Sequence, residues 1–72
     1  MTIMTIHEKL RAARLKKGLT MLEASKLLGY KSYGCIQKWE NGQRVPSFAS
    51  LVKLAKLYNL DLNYLLGLKN EP

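Results

Sequence analysis

Gly18-Leu19-Thr20-Met21-Leu22-Glu23-Ala24-Ser25-Lys26-Leu27-Leu28-Gly29, then Ser32, then Ile36-Gln37-Lys38-Trp39-Glu40-Asn41-Gly42, is the stretch that decides the fold. Thr20 and Glu23 have the spacing of a capping box, in which the hydroxyl accepts from a first-turn amide and the carboxylate accepts from the threonine's own N–H. The pattern predicts a helix over 21–28, stopped by Gly29, a residue free to take the positive φ of a tight turn. Ser32 is the expected N-cap of a second helix over 33–41, with Ile36 and Trp39 inward and Asn41-Gly42 ending it. Helices this short, joined by so tight a turn, cross steeply. The first then needs a small residue where the second passes, and Ser25 is placed for it among the inward Ala24, Leu28, Ile36 and Trp39. One face of the second helix is left projecting outward, as a helix must to enter a DNA major groove.

Helical periodicity continues on both sides. Ile6, Leu10 and Ala13 mark an amphipathic helix over 5–17, with Lys16 and Lys17 at its negative end and Gly18 as its stop. Pro46-Ser47 announces a fourth helix whose apolar set is Leu51, Leu54, Ala55 and Tyr58. Asn59 suits a left-handed stop, Asp61 a cap, and 62–66 a last turn or two ending at Gly67. No segment alternates with period two. The expectation is an all-α, compact five-helix domain spanning 1–72, with its core in 5–67 and with 1–4 and 68–72 frayed.

Composition narrows the functions open to it. Seventy-two residues allow one domain, and 12 Lys and Arg against 5 Asp and Glu leave a net charge of +7. Most of that charge lies at or before Arg44, the footprint of a polyanion binder. One cysteine excludes a disulfide framework, and with one histidine it cannot assemble a zinc site of usual composition. No apolar run approaches the ~20 residues that span a bilayer. No signal peptide is visible, so a reducing cytoplasm is the expected compartment. A single His, Asp and Cys offer no triad, which argues against an enzyme, and no cofactor or metal is expected.

The chain resembles the helix-turn-helix domain of the Cro and lambdoid-repressor type, also called XRE-like. Ile6, Leu10, Arg14 and Gly18-Leu19-Thr20 carry the likeness at one end. Leu28-Gly29, Ile36, Trp39-Glu40-Asn41-Gly42, Pro46-Ser47, Leu51, Leu54-Ala55 and Leu65-Leu66-Gly67 carry it through the rest. The resemblance implies a lambda-repressor-like fold and a regulator that binds double-stranded DNA as a homodimer on a palindromic operator. It also implies an ion pair between Arg14 and Glu40, read as structural. Tyr33, Gly34, Gln37 and Lys38 fall at positions that meet base edges and phosphates in the family, with Lys31 and Ser32 just before them. Gln suits adenine and Lys suits guanine acceptors. Asn41, Gly42, Gln43 and Arg44 match a loop lying along the DNA backbone, where free amides and Arg44 would cradle phosphate. Thr20 and Met21 open the preceding helix toward the same backbone. Tyr64, Leu66 and Leu68 are the dimer-interface candidates.

Three departures stand out. Met21 occupies a position where the family commonly has a polar residue. Gly34, read as inside the recognition helix, costs about 1 kcal/mol against Ala and offers no side chain. The turn is one residue longer than usual through Tyr30-Lys31-Ser32. The resulting surface, with Met21, Leu22, Tyr33 and Cys35, is apolar enough to support an alternative, a module docking on another regulator or polymerase. His7 reads as an unremarkable surface residue, Cys35 as a small partly buried side chain, and Phe48 as core or core rim.

Overall fold

The structure is a computed structural model that describes residues 4–71; the fraying expected of 1–3 and 72 concerns residues outside that range. Five helices follow one another: α1 (Ile6–Lys16), α2 (Met21–Leu27), α3 (Gly34–Glu40), α4 (Phe48–Tyr58) and α5 (Leu62–Leu65). No strand occurs among the described residues. The all-α, five-helix expectation holds, with helix ends displaced by a residue or two.

Local chemistry explains most of those ends. Thr20 and Glu23 form the expected capping box at α2. A second box, Thr5 with Glu8, opens α1, so Thr5 is a cap and not a helical residue. Ser47 and Asp61 cap α4 and α5 through their side chains. Asn59 stops α4 in the left-handed region at φ 55°, a conformation that its short polar side chain tolerates.

The start of α3 differs from expectation. Tyr33, not Ser32, is the N-cap, and no side chain there accepts from the first-turn amides. The helical ladder begins with Gln37 N–H donating to the Tyr33 carbonyl at 2.9 Å. The extra turn residue is thus absorbed before the helix begins. Gly34 becomes the first helical residue, so the interior-glycine penalty expected of it largely lapses.

The core gathers one stripe from each helix: Leu10, Ala24, Ile36, Trp39, Leu51, Leu54, Ala55, Tyr58 and Leu65. Ser25 is fully buried, in keeping with the small inward residue expected of α2. Tyr30 meets Trp39 edge-on, ring centroids 6.1 Å apart. Two expectations fail here. Phe48 is 65 % exposed, because it opens α4 one turn ahead of the stripe begun by Leu51, and Cys35 is exposed rather than partly buried.

Lys9 fastens α5 to α1: its ammonium donates to the Tyr64 carbonyl at 2.7 Å and lies 4.4 Å from that ring's centroid. The segment after Gly67 is tied back further than expected. Leu68 N–H donates to the Asn63 carbonyl at 2.8 Å, and Lys69 pairs with Asp61 at 2.9 Å. Among the described residues, no helix is long and apolar enough to cross a membrane.

Candidate nucleic-acid interface

The interface is built on a buried clamp. Arg14 of α1 donates from Nε to Glu40 Oε2 at 2.7 Å and from Nη2 to Glu40 Oε1 at 2.9 Å. Its Nη1 donates to the Leu19 carbonyl at 2.8 Å. The Arg14 and Glu40 side chains are 8 % and 3 % exposed. One planar guanidinium therefore fixes α1, the segment leading into α2, and the end of α3, using the fork geometry that suits a carboxylate. The bond to Glu40 raises the Arg14 pKa further, so this cation does not titrate. Tyr58 borders the clamp: burial first, then the Glu40 charge, pushes its phenol up to about 12.

With Ile36, Trp39 and Glu40 turned inward, the outward face of α3 and its approach comprises Lys31, Ser32, Tyr33, Cys35, Gln37 and Lys38, all exposed. Gly34 is half-buried. Met21 packs partly against the core, whereas Leu22 beside it is 41 % exposed, so Met21 contributes less apolar surface here than its sequence position suggests. At the start of α2, the exposed Thr20 accepts from Glu23 N–H at 3.1 Å through its hydroxyl. The bonds from Thr20, the backbone N–H first, hold the Glu23 carboxyl below its ordinary range.

The loop after α3 differs in chemistry from the expected cradle. The Gln43 and Arg44 amides both donate to the Lys38 carbonyl, at 3.0 and 3.2 Å, and Gln43 N–H also donates to Asn41 Oδ1 at 3.1 Å. These amides are not free. Asn41 acts here as a turn-forming side chain, and what the loop presents outward is the exposed side chains of Gln43 and Arg44. Gly42 sits at φ +83°, and a Cβ there would stand 3.4 Å from His7 Cε1. His7, held by Thr5 Oγ1 at 3.0 Å from its Nε2, thus backs this loop from α1. Sequence reasoning missed that contact, since nothing in helical spacing links position 7 to a loop so far along the chain.

On α2, on α3 and in the segments flanking α3, the basic side chains Lys26, Lys31, Lys38 and Arg44 are exposed, while Arg14 is spent inside the fold. The dimer-interface candidates divide. Tyr64 is half-buried beneath Lys9, while Leu66 and Leu68 are 42 % and 75 % exposed.

Comparison with known proteins agrees with this architecture. A family model described as helix-turn-helix matches residues 10–65. The HTH-type transcriptional regulator ImmR of Bacillus subtilis (strain 168) is 36 % identical over 64 residues, covering 89 % of this chain and 50 % of that protein. The chain therefore spans half the length of that relative. The crystal structure of the P22 c2 repressor protein in complex with synthetic operator 9T superposes with a TM-score of 0.83 at 27 % identity, covering 93 % of this chain and all of that one. The solution structure of the DNA-binding domain of the P22 c2 repressor gives 0.81 at 27 % identity, covering all of this chain and 96 % of that one.

Proposed function

Because the chain belongs to the helix-turn-helix family, in its Cro and lambdoid-repressor (XRE-like) branch, we propose that it is a sequence-specific DNA-binding transcriptional regulator of the repressor type. The observation that carries this reading is the outward face of α3, whose Gln37 and Lys38 stand exposed while Arg14 and Glu40 lock the helix from behind. Gln37 and Lys38 contact base edges, with Tyr33 and Gly34 at the helix start. Thr20, Lys31, Ser32, Gln43 and Arg44 meet phosphates, and Met21 and Asn41 shape the backbone on either side. The protein works in the cytoplasm as a homodimer on a palindromic operator. The half-sites lie about 34 Å apart on one face of the duplex, and the exposed Leu66 and Leu68 contribute to the contact between copies.

A binding titration against an operator selected from random DNA tests the reading. Lys38→Ala should relax preference among sequences. Arg44→Ala should weaken all sequences about equally and lower the salt slope by about 1. If both variants leave operator affinity unchanged, α3 and its loop are not the recognition surface. The exposed Leu22, Tyr33 and Cys35 favour a second reading, docking on a protein partner. Retention on random DNA that ignores salt would support it over the first.

A further inference from the structure

We propose that the groove between α2 and α4 docks an acidic amphipathic helix of a protein partner. Leu27 and Leu28, at the end of α2, and Lys53, Lys56 and Leu57 of α4 line it, around a volume of about 420 Å³. The groove exists because α2 packs chiefly on α3 while α4 packs on α1 and α5, so the two helices meet only along their edges. Leu28 and Leu57 are half-buried against the core and form its floor. Leu27, 64 % exposed, forms one wall. Lys53 lies one turn from both Lys56 and Leu57, so the three share a face of α4. Both lysines are exposed and make no ion pair among the described residues.

The chemistry of the groove selects its occupant. An apolar floor between leucine and lysine walls suits a leucine-like stripe flanked by carboxylates, the form of an amphipathic helix laid into a groove. No carboxylate lines it. A second copy of this chain is a poor match, because Glu8, Glu23, Glu40 and Asp61 are already held by Thr5, Thr20, Arg14 and Lys69. That leaves Glu71 alone of the five acidic residues. A duplex matches worse, since leucines offer nothing to phosphate. A lipid surface takes up side chains that protrude, whereas Leu28 and Leu57 are recessed. Neither Thr20 nor any residue of α3 lines the groove, so the partner and DNA are held at the same time. The docking itself does not depend on the DNA-binding reading.

The probe is a synthetic helical peptide with leucines along one stripe and glutamates on both flanks, titrated into the full chain. Amide chemical shifts should move at Leu27, Leu28 and 53–57 and stay in place on α3. Leu27→Ser should weaken the peptide about tenfold, from the loss of one leucine's burial. Lys53→Glu with Lys56→Glu should weaken it at least as much, and a peptide with lysines in place of its glutamates should bind about tenfold less tightly. All three substitutions replace exposed residues, and circular dichroism checks that the helices persist. The peptide should bind equally well when operator DNA is present. Shifts spread over the whole basic surface, or an affinity that Leu27→Ser leaves unchanged, would overturn the proposal. So would binding to phosphatidylserine vesicles without binding to the peptide, which would make this face a membrane contact. None of these results touches the affinity for DNA, which is measured separately.

Discussion

Removing either partner of the Arg14–Glu40 clamp should nearly unfold the protein, whereas removing both should not. In Arg14→Met, the Glu40 carboxylate, 3 % exposed, loses both of its guanidinium bonds, at 2.7 and 2.9 Å, and the Leu19 carbonyl loses its donor. Leaving one charge of a buried pair uncompensated costs about 3–5 kcal/mol. A domain of 72 residues has a total stability of about 4–11 kcal/mol at 0.05–0.15 per residue. A slope near 1 kcal/mol per molar urea, usual for a small domain, moves the midpoint down by about 3–5 M. Much or all of the folded range is then gone. In Arg14→Met with Glu40→Leu no charge is stranded, and apolar packing offsets the lost pair. The Leu19 carbonyl remains, at about 1–2 kcal/mol. Urea unfolding followed by the fluorescence of Trp39, buried beside Glu40 in α3, gives all three values. Single-variant losses below about 1 kcal/mol, typical of a surface pair, would refute the reasoning. So would a double variant less stable than either single.

Three further outcomes follow from the same chemistry. Tyr58 Oη makes no hydrogen bond to any described residue, so Tyr58→Phe should leave neutral-pH stability unchanged or raise it by up to about 1 kcal/mol. The native phenol keeps its proton up to about 12 while the unfolded one releases it at 10.0. Its contribution is therefore full below pH 10 and lost between those values; in urea titrations at alkaline pH the variant should lack this decline. Ser25 Oγ is likewise buried without a partner, and Ser25→Ala should gain about 1 kcal/mol in thermal unfolding through helix propensity and relief of the hydroxyl, whereas Ser25→Leu should lose more than that by overpacking the crossing. Finally, the Glu8, Glu23 and Asp61 carboxyls sit below their ordinary values of 4.5, 4.5 and 3.8, held by Thr5, Thr20 and Lys69. The unfolded chain binds these protons first, so their contribution is present above the ordinary values and lost as pH falls from there through the lowered native ones. Melting temperatures of a triple variant, Glu8→Gln, Glu23→Gln and Asp61→Asn, should fall less steeply on acidification.

Much of this architecture is legible in the residues because local rules and global packing agree. Thr20 with Glu23, Asn59, Asp61 and the stripe from Leu51 to Tyr58 each specify a boundary or a face without reference to anything distant. Thr5 with Glu8 carries the same signal as Thr20 with Glu23, and could have been read as a cap. What eluded the sequence depends on where one segment leaves another. Ser32 is a better capping residue than Tyr33, yet the longer turn spends it before α3 begins. Phe48 has the spacing of a core residue but precedes the stripe by a turn. The Gln43 and Arg44 amides turn back on the Lys38 carbonyl, a tertiary-scale economy that the loop's composition does not announce. The pairings of Lys9 with Tyr64 and of His7 with Gly42 join segments that helical periodicity treats separately. In the candidate site, the identity of the outward side chains was readable. Which backbone groups remained available was not.

The three-way grip of Arg14 also bears on motion. A seven-residue helix such as α3 has little stability of its own in water, and unwinding it from its C-terminal end would expose Glu40. That ties the opening of its last turn to the opening of the whole domain. The amides there should exchange with solvent through global unfolding rather than through local excursions. In the DNA-binding reading proposed above, a helix end held this way meets its target already ordered and gives up little conformational freedom on docking. Adaptation to imperfect sites must then come from side-chain rotamers, from the uncapped first turn or from the duplex itself.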